Sequence, residues 1–424
     1  MLRYKNLEEQ INSLSWLNVS VGNELGNVSG HVDCGTMMAI LGHSGSGAST
    51  LLRVLGQRIR CSGNFYINGR EVDLQEIRKT AAYVGDNDSL VNALTAAETL
   101  NFAAHLAQGP TEISKADENL STGELKWILS PKQDRARQVK GLSRSERKRL
   151  RIAIQLLTGS KVLLLDEPTS GLDNITALTV MKYVASETRR RNLIAIVSLP
   201  QPTDPILDLF HQVLVLSEGH VLFDGAVKPL REHLQPPKSL ADELIRCSYP
   251  YFGAHENFEL QSALWKLQVV TTPSLDRFKL LEGMICPFYV PIEPFEAGGA
   301  EHKLIKLVQR SWTKSCRDPM VYIIRLPVYF GLSIFLGTIW FRLQPSQTNI
   351  ESFVSAIFFS AAFMSLTAIC YIPTFLEDLA TFYSDHGTGF YGPFLFLIAN
   401  TLISVSVSFG NCRCYIRFQY TGWP

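Results

Sequence analysis

Lys161-Val162-Leu163-Leu164-Leu165-Asp166-Glu167-Pro168-Thr169-Ser170-Gly171-Leu172-Asp173 contains a run of strand length with no polar residue between Val162 and Leu165. Such a run reads as a strand buried on both faces, the pattern of a parallel sheet. Two adjacent carboxylates follow it, and Pro168 and Gly171 then break the element. A carboxylate at the end of a buried strand is costly unless a cation or donors meet it. Asp166 is therefore placed to order Mg²⁺ or its waters, and Glu167 to polarise an attacking water. A plain acidic turn explains less of so extended a run.

Working outward, Met37–Leu41 is a second apolar strand, and it runs into Gly42-His43-Ser44-Gly45-Ser46-Gly47-Ala48-Ser49-Thr50. Glycines at this spacing let successive N–H groups curl around an anion at a helix N-terminus. A phosphate-binding loop also needs a lysine for the β/γ-phosphates and a Ser or Thr for Mg²⁺. Ser49 and Thr50 fill the second role, while Ala48 stands where the lysine belongs. Leu51-Leu52 opens the helix that should follow. Further apolar runs at 193–197 and 213–216 complete an α/β P-loop NTPase domain over residues 1–245.

The 424 residues carry 40 Lys plus Arg and 39 Asp plus Glu, a net charge of +1 that excludes a dedicated nucleic-acid binder. The nine Lys and Arg residues between Lys132 and Arg151 read as a solvated helix face. Only eight charged residues fall in 319–424, so a charge-rich part is fused to an apolar one. Residues 246–300, broken by five prolines from Pro250 to Pro294 and by Gly298-Gly299, read as a linker. Residues 301–318 form an amphipathic helix with Leu304, Ile305, Leu307, Val308 and Trp312 on one side and Lys303, Lys306, Arg310 and Lys314 on the other. Directly before an apolar span, such a helix is expected on the cytosolic membrane surface, the alternative being a helix packed on the soluble domain.

Residues 319–424 read as a partial all-α transmembrane domain, with spans at about 321–341, 353–372 and 391–409. Each is near the roughly 20 residues that cross a bilayer core about 30 Å thick. The basic residues from Lys303 to Arg325 put the amino side of the first span in the cytosol, and residues 373–390 are then a cytosolic loop. Met1–Gln10 is charged with no apolar run after it, so no secretory leader is expected. The eight cysteines make no CxxC pair, and the first five, Cys34 to Cys316, read as reduced thiols. The sequons at Asn18, Asn27, Asn87, Asn119 and Asn174 lie in the cytosolic part and read as chance matches.

The phosphate loop, the Leu165-to-Asp173 run and Leu142-Ser143-Arg144-Ser145-Glu146-Arg147-Lys148-Arg149 twenty residues before it resemble an ATP-binding cassette ATPase. The Glu-Arg-Lys-Arg ending, the cassette-first order and Asp385-His386-Gly387-Thr388-Gly389-Phe390-Tyr391 resemble the G subfamily, of the white and pleiotropic-drug-resistance type and fungal-like. The resemblance implies a half-transporter that exports a hydrophobic small molecule (metabolite, sterol or drug-like compound). It further implies ATP and Mg²⁺ as cofactors, a second half-transporter as homo- or heterodimer partner, contact with membrane lipid, and a multi-pass location in the plasma membrane with the cassette cytosolic. In that family two cassettes close head to tail, so Ser143 would complete the partner's site.

Several positions depart from the family pattern. Arg144 and Ser145 replace the two glycines of Leu-Ser-Gly-Gly-Glu. The Mg²⁺-sensing Gln aligns with Asp86, which as a carboxylate keeps a tentative place on the metal, and the switch His aligns with Pro200. The adenine-stacking aromatic aligns with Val21, with Trp16 five residues away. Charge-assisted hydrogen bonds to phosphate are typically worth about 1.5–3 kcal/mol. Loss of the Lys and the His therefore implies binding weaker by roughly two orders of magnitude unless other charges, such as Arg144 or His43, replace them. The alternatives are a non-hydrolysing pseudo-ATPase subunit of a heterodimer and an inactive truncated product, since the family has six spans and residues 406–424 depart from it.

Overall fold

The computed structural model describes residues 11–73, 76–77, 80–85, 90–107, 137–234, 239–249, 299–317, 350–367 and 372–403, with a few isolated positions between 331 and 347. In chain order these are β1 (Ser13–Val21), β2 (Leu25–Asp33), β3 (Met37–Leu41), α1 (Ala48–Leu55), β4 (Ser62–Ile67), β5 (Arg70–Val72) and β6 (Ala81–Val84). Next come α2 (Ala96–Ala107), α3 (Arg144–Leu157), β7 (Val162–Asp166), α4 (Asn174–Arg191), β8 (Ile194–Leu199), α5 (Asp204–Leu207), β9 (Gln212–Ser217), β10 (His220–Ala226), α6 (Val227–Leu234) and α7 (Leu240–Ser248). The later segment supplies α8 (Ala300–Arg317), α9 (Ile350–Thr367), α10 (Ile372–Gly387) and a helix over 393–403.

Two sheets build the α/β part. The first is antiparallel, in the order β2-β1-β4-β5; the second has the order β10-β9-β3-β8-β7-β6. In the second, β9, β3, β8, β7 and β6 run parallel, and β10 pairs antiparallel with β9 at the edge. The four apolar runs read from sequence are its central strands, with every residue of β3 and β8 buried. Leu41 pairs with Leu199, and Asp166 pairs with Ser198. The carboxyl ends of β3 and β7 therefore open on the same edge with β8 between them, the place where open α/β sheets hold ligands. Trp16 is fully buried against Gly30, so it is a core residue rather than an adenine platform.

α8 departs from the sequence expectation. Leu307 is buried, with Leu304 and Val308 beside it, in a cluster with Leu100, Ala103 and Ala104 of α2, Leu150 and Ala153 of α3, and Phe382 of α10. Three basic residues of α8, Lys303, Arg310 and Lys314, are engaged with other parts of the protein. Lys303 Nζ donates to the Phe390 carbonyl at 2.7 Å. Arg310 donates to Asp385 Oδ2 at 2.7 Å and to the Tyr391 hydroxyl at 2.8 Å. Lys314 Nζ lies 2.6 Å from Asp378 and 3.2 Å from Glu377. Burial pulls the Lys314 pKa down, but these two carboxylates outweigh it and hold the group above the usual lysine range. Ile305 and Trp312 remain exposed. The acids that draw α8 inward lie on α10, in a stretch read from sequence as loop. Pro373 sits in the first turn, where a proline fits a helix, and no glycine interrupts until Gly387.

Among the described residues no helix is long and apolar enough to cross a membrane. The expected span at 353–372 overlaps α9, and that at 391–409 overlaps the helix at 393–403. Nearly all of 321–341 and all of the linker proper at 250–298 lie outside the described residues.

The α8–α10 pairing has a measurable signature. Removing one member of a poorly exposed ion pair costs about 3 kcal/mol, because the partner charge stays desolvated; an exposed pair contributes less than about 1 kcal/mol. Arg310→Ala is expected to lower the thermal unfolding temperature of the full chain in lipid nanodiscs clearly more than Arg317→Ala, which removes the more exposed contact to Glu98. Equal shifts would mean that Arg310 does not anchor the helix.

Candidate functional site

The loop after β3 folds as its glycines require. Gly45 and Gly47 have φ of 90° and 95°, in the left-handed region. A side chain at Gly47 would also strike the Leu25 side chain and the Glu24 carbonyl. Gly47 caps α1 without any side-chain hydrogen bond, so the first N–H groups of the helix are left for a ligand. Ser46 is buried, and its hydroxyl has no partner among the described residues. An orphaned hydroxyl beside uncapped helix N–H groups is a cradle suited to phosphate oxygens. His43 is drawn to the opposite side: its N–H donates to Ser248 Oγ at 3.0 Å, and its ring lies 5.0 Å from that of Tyr249. Ser44, which follows it, is exposed.

Asp166 is the hub. Its Oδ1 accepts from Ser49 Oγ at 2.8 Å and from Ser198 Oγ at 2.7 Å, and its Oδ2 from the Tyr83 hydroxyl at 2.8 Å. The side chain of Thr50, next to Ser49, donates instead to Glu24 at 2.6 Å. Ser198 Oγ also receives the Glu167 N–H at 2.9 Å. Glu167 itself has φ of 48°, a strained conformation for a residue with a side chain. Lys148, buried in α3, holds the turn that follows by donating to the carbonyls of Glu167 at 2.9 Å and Ser170 at 2.8 Å. An oxygen set of hydroxyl and carboxylate suits Mg²⁺, so Ser49 and Asp166 fit the ion expected of them.

Ser143 is the N-cap of α3 and forms a capping box with Glu146. Its hydroxyl also lies 3.0 Å from that of Ser145. The Arg144 guanidinium packs against Gly171, where a side chain would fall on it. Asp173 caps α4 by accepting from the Thr176 N–H at 2.9 Å, and that bond holds its carboxyl below the usual range. Asp86 lies outside the described residues. Pro200 directly follows β8, and Val21 ends β1 among core residues.

A pocket of about 500 Å³ opens beside this hub, lined by Ser49, Arg53, Arg58, Tyr83, Asp166 and Glu167, with Ala380, Tyr383 and Ser384 of α10 across from them. Sequence reasoning missed Arg53, Arg58, Tyr83, Ser198 and Lys148. Only Arg53 had a usable signal, since it stands four residues after Ser49 and so on the same helix face.

Two family models match the chain: the ABC transporter model over residues 25–170 and the ABC-2 type transporter model over residues 302–417. The ABC transporter G family member 1 of Petunia hybrida is 29% identical over 403 residues, 89% of this chain and 63% of that protein. Member 5 of Dictyostelium discoideum is 29% identical over 409 residues, 90% of this chain and 27% of its own length. Member 11 of Arabidopsis thaliana is 27% identical over 420 residues, 90% and 59%. Along most of its length the chain is similar to ABC transporters of the G family. It spans less than two thirds of the length of those three relatives. Among solved structures, cbiO1 from Clostridium perfringens, part of the ABC transporter complex cbiONQ, aligns with 53% of the chain at 24% identity and a TM-score of 0.46.

The Lys148 clamp is testable without ligand. Lys148→Met keeps the apolar stem but strips two carbonyls of a charged donor, a loss of about 2–4 kcal/mol in total. The nucleotide-free chain is expected to unfold at a visibly lower temperature. An unchanged transition would show that the Glu167 turn holds itself.

Proposed function

We propose that this chain is a G-family half-transporter that couples Mg-ATP binding and hydrolysis to export of a hydrophobic small molecule, acting as a dimer with a second half-transporter. The observation that carries the nucleotide part is the 2.8 Å contact of Ser49 with Asp166 beneath an uncapped glycine loop. In this reading the loop from Gly42 to Thr50 cradles phosphate through its N–H groups and the Ser46 hydroxyl. Ser49 and Asp166 hold the metal ion, which screens the phosphate charge. Glu167, kept in its turn by Lys148, accepts a proton from the attacking water. Ser143, at the N-terminus of α3, serves the partner's nucleotide. The export direction, the hydrophobic cargo and the plasma-membrane location follow the family resemblance. The apolar residues exposed on α9, Val354, Ile357 and Phe358 among them, support a lipid-facing role for that helix.

In the full chain in lipid nanodiscs, Mg-ATP is expected to raise the unfolding temperature, and Asp166→Asn is expected to abolish the Mg²⁺-dependent part of that rise. Hydrolysis, where present, should fall about 100-fold or more in Glu167→Gln while binding is retained. Binding without hydrolysis in the wild type would favour the non-hydrolysing subunit of a heterodimer, a reading that rests on Ala48 in the loop. No protection by millimolar Mg-ATP would refute both.

A further inference from the structure

The pocket beside Asp166 holds two carboxylates, Asp166 and Glu167, and two guanidinium groups, Arg53 and Arg58. With Ala48 in the loop, these arginines are the cations lining that space. Arg53 stands one turn past Ser49 on α1, and its side chain leans back toward the helix N-terminus, as helical geometry directs. Its Nε lies 3.3 Å from the Ser49 carbonyl and its Nη2 3.1 Å from Thr50 Oγ1. Thr50 can only accept from Arg53, because its own hydrogen goes to Glu24. The guanidinium is thus held at the metal-side end of the helix with its direction set. Arg58 follows α1 from the far side. It stacks 5.4 Å from the centre of the Tyr83 ring, whose hydroxyl donates to Asp166, and its Nη1 lies 3.4 Å from the Tyr383 carbonyl of α10.

We infer that Arg53 and Arg58 bind the terminal phosphate of a nucleoside triphosphate, supplying from the other side of the pocket the charge that a lysine at position 48 would supply from the loop. This rests on the nucleotide-binding reading above and adds to it where the charge comes from. A planar guanidinium with several donors suits phosphate oxygens at least as well as an ammonium does. A third phosphate entering between Asp166 and Glu167 would otherwise meet two anions with only a metal ion to offset them. The His43 ring lies against Tyr249 instead, and the Arg58 guanidinium, which also packs against Gly387 of α10, still lines the pocket.

The test uses the full chain in lipid nanodiscs with Mg-ATP and Mg-ADP as probes. The double variant Arg53→Ala/Arg58→Ala is expected to bind Mg-ATP about 10- to 100-fold more weakly, the scale of one or two charge-assisted contacts, with Mg-ADP changed less than about 3-fold. Adding Ala48→Lys to the double variant is expected to recover Mg-ATP affinity to within about 3-fold of wild type. Arg53→Lys/Arg58→Lys, which keeps both charges, controls for folding and is expected to retain most of the affinity. Mg-ATP affinity unchanged in the double variant, an equal loss for ADP, or no rescue by Ala48→Lys would each overturn the inference while leaving the nucleotide site standing. A wild-type chain that binds neither nucleotide would remove the site and the inference together.

Discussion

The Asp166 carboxylate joins three elements that are distant in sequence: Ser49 on α1, Tyr83 on β6 and Ser198 on β8. A carboxylate at a strand end stays charged at acceptable cost only where donors surround it. The parallel register delivers those donors, because β7 pairs with both β6 and β8. The helix after the glycine loop then sits over the same edge. Ser198 uses its one hydroxyl in both senses, donating to Asp166 and accepting from the Glu167 N–H, so the two acids are positioned by a single side chain.

From that hub two paths lead outward. One runs through the Glu167 turn to Lys148 and the helix that Ser143 caps, linking the acid pair to the segment proposed to serve a partner. The other runs through Tyr83 and Arg58 to α10. α10 is in turn fastened by Arg310 and Lys314 to α8, and α8 packs on α2 and α3. The pocket beside Asp166 and the α8–α10 pair therefore share a wall: Ala380, Tyr383 and Ser384 of α10 line the same cavity as Ser49 and Asp166.

The α/β core was legible because its signal is local. Apolar runs between Met37 and Leu216 name the central strands, and the glycine spacing and the Asp166-Glu167 pair mark their ends. What lay hidden depended on partners far along the chain. The basic side of α8 reads as a lipid-facing surface until Asp378 and Asp385, some 64 and 75 residues on, are brought against Lys314 and Arg310. Periodicity alone does not say what covers a charged face. Residues 373–390 read as a loop because they lie between two expected spans, yet 372–387 form a helix whose proline sits in the first turn, where a helix tolerates it. Tyr83 and Ser198 were invisible as site residues because hydrophobic strands hold them, and only the register turns them toward Asp166.

The central claim is that Asp166 and Ser49 hold a metal ion bound to nucleotide phosphate. It is tested most directly by replacing Mg²⁺ with Mn²⁺ and recording pulsed electron paramagnetic resonance of the full chain with ATP. The account predicts ³¹P couplings from phosphate on a protein-bound Mn²⁺ in the wild type, and their loss in Asp166→Asn. A wild-type spectrum identical to that of Mn-ATP free in solution would contradict it.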